Sequence, residues 1–500
     1  LAVGVSTCDT IFATMPMGKS GKWYYEVRVD TYGVDGMVAG IGETSTTSKT
    51  WATYLGNTTS TSGLGFALYS GDVVMMAVDL DNSKIWWGEN GTFYTNSSGA
   101  GNPATGANPS LTLQADTEYV FGLSPTTTED YFVNFGDDST FGGAVSAGNN
   151  ADENGFGNFK HAPPSCYLCL CSANLTAPEF QGIDFFDSTV YEGNGTGQRV
   201  GDFVPFTDLY TVDNSIIFDV ATKNHLQRTM SAAASDSNKK FTVSTWVKRV
   251  DPGQVFSLIL LESTDGSGAN GSGIRISSST SQKQFHLYAQ GSGNSGGTVT
   301  IYTTTTMASQ TSSWSHFLIQ VDTTLATSTD RVKLYIDGVV QSVDNSAGGA
   351  AVFPTQDSTF VFGTNTFATQ IGKIPYGSTY FNSMYLAEHA FITGTDSTSK
   401  SVSDYGSLDT ATNRWIAKDI SGFTFGHNGS YLEFQTTPGS GSGAGTDTSG
   451  NGNNWTEAIN GSASAWTSLT NFKMIDTPSQ NYATLDPGRA GSSVVLAEGN

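Results

Sequence analysis

The chain has 500 residues, a formal net charge of −22, 37% hydrophobic residues and only 14% charged residues. A chain this acidic repels phosphate backbones and has no basic patch for anionic lipids, so neither nucleic acid nor a membrane surface is an expected partner. No run of about 18 apolar residues is present, so we expect no membrane insertion. The 58 glycines and 12% aromatic residues favour short strands joined by tight turns, which predicts an all-β fold.

The first part of the chain reads as a series of strands. Lys22-Trp23-Tyr24-Tyr25-Glu26 opens a strand in which buried and polar residues alternate, and Gly40-Ile41-Gly42 is a second short strand. Gly71-Asp72-Val73 and Asp79-Leu80-Asp81 bound a further strand, and Asn90-Gly91 supplies a tight turn after Ile85-Trp86. This ordered set resembles the SPRY domain over residues 1–175. The resemblance implies a two-sheet antiparallel sandwich that binds partners through loops at one rim.

Residues 176–212 are predicted to be a linker rich in Gly, Ser and Asn. Its Gly-rich stretch, Tyr191-Glu192-Gly193-Asn194-Gly195-Thr196-Gly197, is not followed by the Lys-Ser/Thr of a phosphate-binding loop. The stretch therefore indicates a turn-rich connection between two modules.

A second series of strands follows the linker. Phe241–Arg249 alternates cleanly, Trp314-Ser315-His316 opens another strand, and Asp337-Gly338 closes Leu334-Tyr335-Ile336 in a hairpin. With the late Met384-Tyr385-Leu386-Ala387-Glu388, these motifs resemble the laminin-G-like or pentraxin-like jelly roll over residues 213–445. The predicted fold class is therefore two tandem antiparallel β-sandwich domains of the jelly-roll, concanavalin A-like type.

Residues 446–500 are predicted to be a polar C-terminal extension that leads toward a further module. A SPRY-like module paired with a laminin-G-like module resembles large virion proteins of marine tailed phages. In that pattern such an extension precedes another SPRY-like domain. We therefore expect the 500 residues together to be one unit of a longer, repeating chain.

Four cysteines are too few for a disulfide scaffold. Cys166, Cys169 and Cys171 cluster in a strand-like segment without a histidine pair, which favours small buried side chains over a metal site. A disulfide between one of them and Cys8 is left open.

No catalytic constellation is visible, so we expect a protein that is not an enzyme. Glycoside hydrolysis needs two carboxylates about 5 to 10 Å apart, and no strand carries such a pair at the required spacing. Glu262 and Asp265 are close in sequence but are expected in a Gly/Ser-rich loop. The six histidines are scattered, and His316 is expected to be a packed or hydrogen-bonded sheet residue.

Calcium is the one ion for which the sequence offers oxygen ligands. Asp447, Asn451 and Asn453 lie in a Gly-rich turn that could supply carboxylate and amide oxygens. An ordinary Asx-turn loop accounts for the same residues, so no cofactor is certain.

Saccharide binding needs an exposed aromatic platform beside planar polar groups. Trp51, Tyr54 and Trp87 are the candidate ligand-binding residues. Trp86 and Trp87 are adjacent on a strand and point to opposite faces, so one is expected in the core and the other as a surface platform or an interface residue.

We therefore hypothesise a non-enzymatic structural and adhesive protein of a phage virion or extracellular fibre. Its partners would be a host-surface glycan or protein, and repeated modules would favour self-association into an oligomer, fibre or repeat array. The expected location is the virion or the extracellular surface. Two alternatives stay open, namely a carbohydrate-active enzyme or its carbohydrate-binding module, and a protein-binding SPRY adaptor.

Overall fold

A computed structural model describes most of the chain. The described residues are 2–4, 10–32, 38–44, 54–57, 68–95, 99–124, 130–175, 210–218, 223–231, 238–249, 258–264, 271–276, 284–290, 298–305, 313–345, 349–362, 368–373, 384–409, 413–439, 442–459, 462–463, 473–485 and 494–496. Within these ranges the fold is all-β, with antiparallel sheets, as predicted.

Among the described residues, thirteen strands build the first sandwich. They are β1 (Ala2–Gly4), β2 (Ile11–Gly18), β3 (Lys22–Thr31), β4 (Val38–Glu43), β5 (Tyr54–Asn57), β6 (Val73–Asp79), β7 (Lys84–Glu89), β8 (Thr92–Tyr94), β9 (Leu111–Thr112), β10 (Tyr119–Ser124), β11 (Asp130–Asn134), β12 (Leu168–Cys169) and β32 (Val494–Leu496). A 3-10 turn lies at Pro103–Thr105.

The first sandwich packs a nine-stranded sheet against a four-stranded one. The larger sheet runs β32-β1-β11-β3-β6-β7-β8, with β12 beside β3 and β9 beside β7, and the smaller runs β2-β10-β4-β5. Alternate residues of β3, such as Tyr25 and Val27, point between the sheets. The Tyr25 ring meets Phe121 edge-on, with centroids 4.7 Å apart, so side chains from both sheets interlock in the core.

The opposite face of the larger sheet is buried as well. Tyr24 and Trp86 point to this face and belong to a second apolar cluster. The Glu26 carboxylate, fully buried on the same face, accepts hydrogen bonds from the backbone nitrogens of Lys160 (2.8 Å) and His161 (2.7 Å). A buried carboxylate needs such donors, so Glu26 fixes the segment that covers this face.

In the part of the second module that the structure describes, nineteen strands build a sandwich and its hairpin. They are β13 (Ser215–Phe218), β14 (Asn224–Thr229), β15 (Lys240–Arg249), β16 (Leu258–Thr264), β17 (Gly271–Ile276), β18 (Phe285–Gln290), β19 (Val299–Thr303), β20 (Ser315–Asp322), β21 (Val332–Ile336), β22 (Val339–Val340), β23 (Val343–Asp344), β24 (Ala368–Ile371), β25 (Met384–Thr393), β26 (Gly406–Asp409), β27 (Arg414–Ala417), β28 (Ser430–Leu432), β29 (Thr456–Ile459), β30 (Ser462–Ala463) and β31 (Lys473–Met474). Its described residues also form the short helix α1 (Val402–Tyr405) and 3-10 turns at Ser328–Asp330, Gly394–Thr398 and Gly443–Gly445.

The second sandwich packs an eight-stranded sheet against a nine-stranded sheet. The first runs β22-β21-β20-β15-β25-β13-β31 with β28 beside β25, and the second runs β23-β19-β18-β17-β16-β24-β14-β29-β30. The outer face of the eight-stranded sheet is closed by a separate apolar cluster, in which Leu318 and Ile392 meet Tyr405, Ile420 and Phe425. The outer face of the nine-stranded sheet is the one that carries polar and aromatic side chains.

The described part of the C-terminal region packs into the two sandwiches and is not the predicted polar extension. Sequence analysis ended the second module at residue 445, yet β29 and β31 belong to the sheets of the second sandwich. Residues 475–485, which we call the strap, then cross to the first sandwich. Such strands of two to four residues give no periodic hydrophobic pattern, which is why the sequence did not reveal them.

The strap completes the first sandwich. Its backbone pairs with that sandwich through Ser172 N to Asn481 O (2.9 Å), Ala483 N to Leu170 O (3.1 Å) and Thr14 N to Thr484 O (2.7 Å). Ala483 and Leu485 lie in the core between the two sheets. Beyond the strap, β32 pairs antiparallel with β1. The first sandwich therefore takes part of its core from residues far along the chain.

Three of the four cysteines lie within the described residues. Cys169 and Cys171 are buried and, like the exposed Cys166, carry free thiols, whereas Cys8 lies outside the described residues. In the part of the chain that the structure describes, no helix has the length and apolar character needed to span a membrane.

Candidate functional site

Of the three aromatic residues predicted to bind ligand, Trp87 is the one whose side chain lies within the described part of the chain. Trp51 lies outside the described residues, and Tyr54 is described only as the first backbone position of β5. Trp87 is 1% exposed, and its indole nitrogen donates to the Ala39 carbonyl at 3.1 Å. The prediction that Trp87 offers a surface platform is wrong, because it lies in the core.

Both adjacent tryptophans are buried because both faces of their sheet are covered. Trp87 points between the two sheets. Trp86 points outward but is 0% exposed, because it packs in the second apolar cluster with Phe159 and Tyr167. The Trp86 indole nitrogen donates to the Ala107 carbonyl at 3.0 Å. Strand alternation correctly placed the two rings on opposite faces, but it could not show that the outer face is covered.

The three residues predicted to bind calcium do lie together, and hydrogen bonds within the loop occupy the Asp447 carboxylate. Asp447 Oδ1 accepts from the backbone nitrogens of Tyr431 (2.9 Å) and Ser449 (3.0 Å). Its Oδ2 accepts from the Ser449 hydroxyl (2.9 Å) and from the Asn453 backbone nitrogen (2.7 Å). Both carboxylate oxygens thus already serve as the acceptors of an Asx-type turn.

The two asparagines of this loop face other partners. Asn451 Nδ2 donates to the carbonyls of Gly426 (2.8 Å) and Gly429 (3.1 Å). Asn453 Oδ1 accepts a hydrogen bond from Arg228 Nη2 at 2.5 Å. Calcium would need this amide oxygen as a ligand. Because the oxygen already accepts from a positively charged guanidinium, the loop does not fit a cation site. No cluster of three or more His, Cys, Asp or Glu suited to a metal occurs within the described ranges.

We expect calcium to leave the stability of the protein unchanged. A ligand that binds only the native state raises the melting temperature, so Tm should agree within about 1 °C in millimolar calcium and in EDTA. Differential scanning fluorimetry checks this, with Asp447→Ala as the matched variant that should lower Tm under both conditions, because it breaks the turn. A rise of several degrees on adding calcium would restore the calcium interpretation.

A row of polar and aromatic side chains crosses the outer face of the nine-stranded sheet. Strand alternation directs Ile274, Leu287 and Ile301 into the core, so their neighbours point outward. The outward residues form what we call the polar-aromatic face: Gln227 of β14, Gln370 of β24, Glu262 of β16, Arg275 of β17, His286 and Tyr288 of β18, and Tyr302 of β19.

Glu262 and Arg275 form the centre of the polar-aromatic face. Arg275 donates from Nε to Glu262 Oε2 (2.7 Å) and from Nη2 to Glu262 Oε1 (2.6 Å), a bidentate ion pair. The Tyr288 hydroxyl also donates to Glu262 and accepts from Arg275 Nη2 at 2.6 Å. Burial raises the pKa of Glu262, and the neighbouring Arg275 opposes that rise. Sequence analysis expected Glu262 in a loop, whereas it lies on β16.

Gly273 makes this arrangement possible. It pairs with Tyr288 on one side and with Glu262 on the other. A β-carbon at this position would overlap both the Glu262 carboxylate and the Tyr288 ring. The glycine therefore opens the space in which the tyrosine crosses β17 to reach the carboxylate.

Two rings stack at one end of the polar-aromatic face. The His286 and Tyr302 rings are nearly parallel, with an interplanar angle of 11° and centroids 4.3 Å apart. Burial lowers the pKa of His286 to about 3, so its imidazole is neutral near pH 7. Burial also raises the pKa of Tyr302. The partly exposed Tyr302 thus presents a neutral aromatic ring supported from below.

Two amides lie at the other end of the polar-aromatic face. Gln370 Nε2 donates to Gln227 Oε1 at 3.3 Å. The buried Gln370 Oε1 has no hydrogen-bond partner among the described residues. Gln227, Arg275, Tyr288 and Tyr302 are each partly exposed, so hydrogen-bonding groups and aromatic rings are both accessible on one surface. Sequence analysis missed these residues because the strands that carry them are separated along the chain.

A protein-family model matches the strands of this region. Residues 222–383 match the family model described as the concanavalin A-like lectin/glucanases superfamily. No curated protein sequence matches the chain. Among solved structures, the native heptameric SAP-like pentraxin from Limulus polyphemus is similar, with a TM-score of 0.26, 11% identity, and coverage of 42% of this chain and 94% of that chain.

Two further solved structures are similar to parts of the chain. The SPRY domain of human HERC1 has a TM-score of 0.17 and 16% identity, covering 25% of this chain and 80% of that chain. The binding domain of botulinum neurotoxin serotype D has a TM-score of 0.22 and 10% identity, covering 37% of this chain and 41% of that chain.

The family match coincides with the strands that build the candidate site. All seven residues of the polar-aromatic face, from Gln227 to Gln370, fall within the matched range. The chain thus contains a laminin-G-like domain of the concanavalin A-like type at residues 222–383.

Proposed function

We propose that the second sandwich is a non-enzymatic saccharide-binding domain and that the polar-aromatic face is its binding surface. The observation that carries the proposal is the partly exposed Tyr302 ring, which lies two strands from the partly exposed Arg275 on the same face of the sheet. A sugar ring packs its C–H face on an aromatic ring, and planar polar side chains hydrogen-bond its hydroxyl groups.

The role of Glu262 argues for binding over hydrolysis. A glycosidase acid or nucleophile must reach the glycosidic oxygen or the anomeric carbon. Both Glu262 oxygens instead accept hydrogen bonds from Arg275, and the Glu262 side chain is 0% exposed. This carboxylate orients Arg275 and Tyr288, and those two side chains would contact the ligand.

Changing Tyr302 to Ala should weaken saccharide binding by about tenfold or more, which corresponds to about 1.4 kcal/mol. A glycan array identifies the bound sugar, and calorimetry then compares the variant with the unaltered protein. Tyr69→Ala is the matched control, because Tyr69 is an exposed tyrosine of the first sandwich (67% exposed).

Because His286 stays neutral, saccharide binding should also be constant from about pH 5 to pH 8.

Two results would contradict this function. Equal affinities for the unaltered protein and for Tyr302→Ala would remove the polar-aromatic face as the binding surface. Release of reducing sugar from a bound glycan would instead favour the carbohydrate-active enzyme.

We further propose, from composition and the phage resemblance alone, that the chain belongs to a virion or an extracellular surface fibre. Display of a sugar-binding sandwich suits adhesion to a host-surface glycan, and self-association would multiply weak contacts. Mass spectrometry of purified virions tests the location, and their lack of peptides from this chain would contradict it.

A further inference from the structure

A cleft lies between the two sandwiches, away from the polar-aromatic face. It encloses about 630 Å³ and is bounded by the loop at 149–158, by residues 211–213 and by the strap. This volume is within the range of about 300–1,000 Å³ found for small-molecule sites, which often form where domains meet.

Hydrogen bonds hold the walls of the cleft in place. Asp152 Oδ1 accepts from the backbone nitrogens of Asn154 (3.0 Å) and Phe156 (2.9 Å), which fixes the loop of the first sandwich. The Val212 backbone nitrogen donates to Ser479 Oγ at 2.8 Å, which ties the second sandwich to the strap. Walls that are formed in advance lower the entropic cost of binding.

The side chains that line the cleft favour a neutral, hydroxyl-rich ligand. Asn149, Asn158 and Gln480 contribute amides, and Phe156 contributes an apolar ring. Among the described lining residues none is Lys, Arg or His, and Asp213 is a carboxylate. Together with the net charge of −22, this lining disfavours anions.

One lining residue has an acceptor that the protein does not use. Asn158 Oδ1 is buried without a hydrogen-bond partner in the described part of the chain. The backbone of Asn158 is fixed, because its nitrogen donates to the Gly136 carbonyl at 2.7 Å and its carbonyl accepts from Asn134 Nδ2 at 3.0 Å. A buried acceptor without a partner is unfavourable, and rotation of the partly exposed Asn158 side chain would turn it toward a ligand hydroxyl in the cleft.

We propose that this cleft is a second binding site, for one neutral sugar residue, separate from the polar-aromatic face. A sugar hydroxyl would donate to Asn158 Oδ1, and the amides of Asn149 and Gln480 would bond the hydroxyls beside it. The C–H face of the sugar would cover the Phe156 ring. The proposal shares its ligand class with the proposed function of the second sandwich but does not depend on it.

The test uses the full chain carrying Tyr302→Ala, so that the polar-aromatic face no longer contributes. Saturation-transfer NMR with N-acetylglucosamine, galactose and mannose as probes should still show transfer to at least one sugar. Adding Asn158→Leu removes the acceptor, and adding Thr211→Trp instead fills the cleft from an exposed position. Each addition should reduce the transfer at least fivefold without lowering Tm, since the Asn158 side-chain oxygen has no partner to lose.

The possible outcomes separate the two sites. Transfer that survives Tyr302→Ala and disappears with either cleft variant supports the cleft. Absence of transfer to all three sugars in the Tyr302→Ala protein overturns it, and so does transfer that persists in both cleft variants. A different result would contradict the saccharide-binding role of the polar-aromatic face. In that case Tyr302→Ala would bind saccharide with the same affinity as the unaltered protein.

Discussion

Replacing Lys248 with Met is expected to destabilise the protein by about 3–5 kcal/mol, because the substitution leaves a buried carboxylate without its counter-charge. Lys248 is 1% exposed at its side chain and lies 2.5 Å from Asp476 Oδ2, whose side chain is 0% exposed. The ammonium also donates to Asn481 Oδ1 and to the Tyr482 carbonyl, both at 2.8 Å. Trp314 Nε1 donates to the other Asp476 oxygen at 2.7 Å.

Urea unfolding followed by tryptophan fluorescence measures this loss. The matched control is Lys333→Met, since Lys333 pairs with Asp330 on the surface, where an ion pair contributes about 0–1 kcal/mol. The double variant Lys248→Met with Asp476→Leu should recover much of the loss, because it removes both buried charges together. A cost below about 1 kcal/mol for Lys248→Met would show that this ion pair does not hold the strap.

Replacing Leu485 with Asp is expected to destabilise the first sandwich by at least about 3 kcal/mol, although residue 485 is far from that sandwich in sequence. The substitution removes a core side chain and buries a charge without a partner. Leu485 is 3% exposed within the first core and forms a bridge with Ala13 of β2. Ile475→Asp is the matched control, because Ile475 of the same strap is 38% exposed.

Hydrogen exchange read by mass spectrometry locates the effect. In Leu485→Asp, the central strands β3, β6 and β10 of the first sandwich should lose protection, and β15 and β20 of the second should keep more of theirs. If only the strap lost protection, Leu485 would be a peripheral contact and the first sandwich would fold without it. The control should exchange like the unaltered protein in both sandwiches.

The strap connects the two sandwiches through buried contacts in each of them. One end is anchored by the buried Lys248–Asp476 pair and the other by Leu485 in the first core. Between these anchors the strap forms one wall of the inter-module cleft. A ligand in that cleft would contact both sandwiches at once, so its binding would stabilise their junction by mass action.

The local patterns predicted the strands well where one face of each strand is apolar. The alternation in Phe241–Arg249 correctly predicted β15, and the Asp337-Gly338 turn correctly predicted the hairpin of β21 and β22. The composition correctly predicted the all-β class. These features follow from side chains within a few residues of one another, so the sequence alone contains them.

The candidate site could not be predicted in this way. Glu262, Arg275 and Tyr288 lie on three strands that meet only in the folded sheet, and no spacing in the sequence connects them. Trp87 shows the opposite failure, because a ring that looked available is covered by the second sheet. The criterion of an aromatic platform beside planar polar groups was useful, but the residues that meet it are Tyr302 and Arg275, and Gln227 lies three strands farther along the sheet.

The sequence by itself determined the strands and the turns between them, because period-2 alternation and turn chemistry act locally. The two-sandwich architecture was implied by the resemblance to SPRY and laminin-G-like domains. Tertiary structure alone decided which faces are covered, which polar groups meet and where the first sandwich is completed. Those outcomes depend on contacts such as Leu485 with Ala13 and Lys248 with Asp476, which join residues hundreds of positions apart. The energy of such contacts appears only when burial brings the partners together, and no local pattern records it.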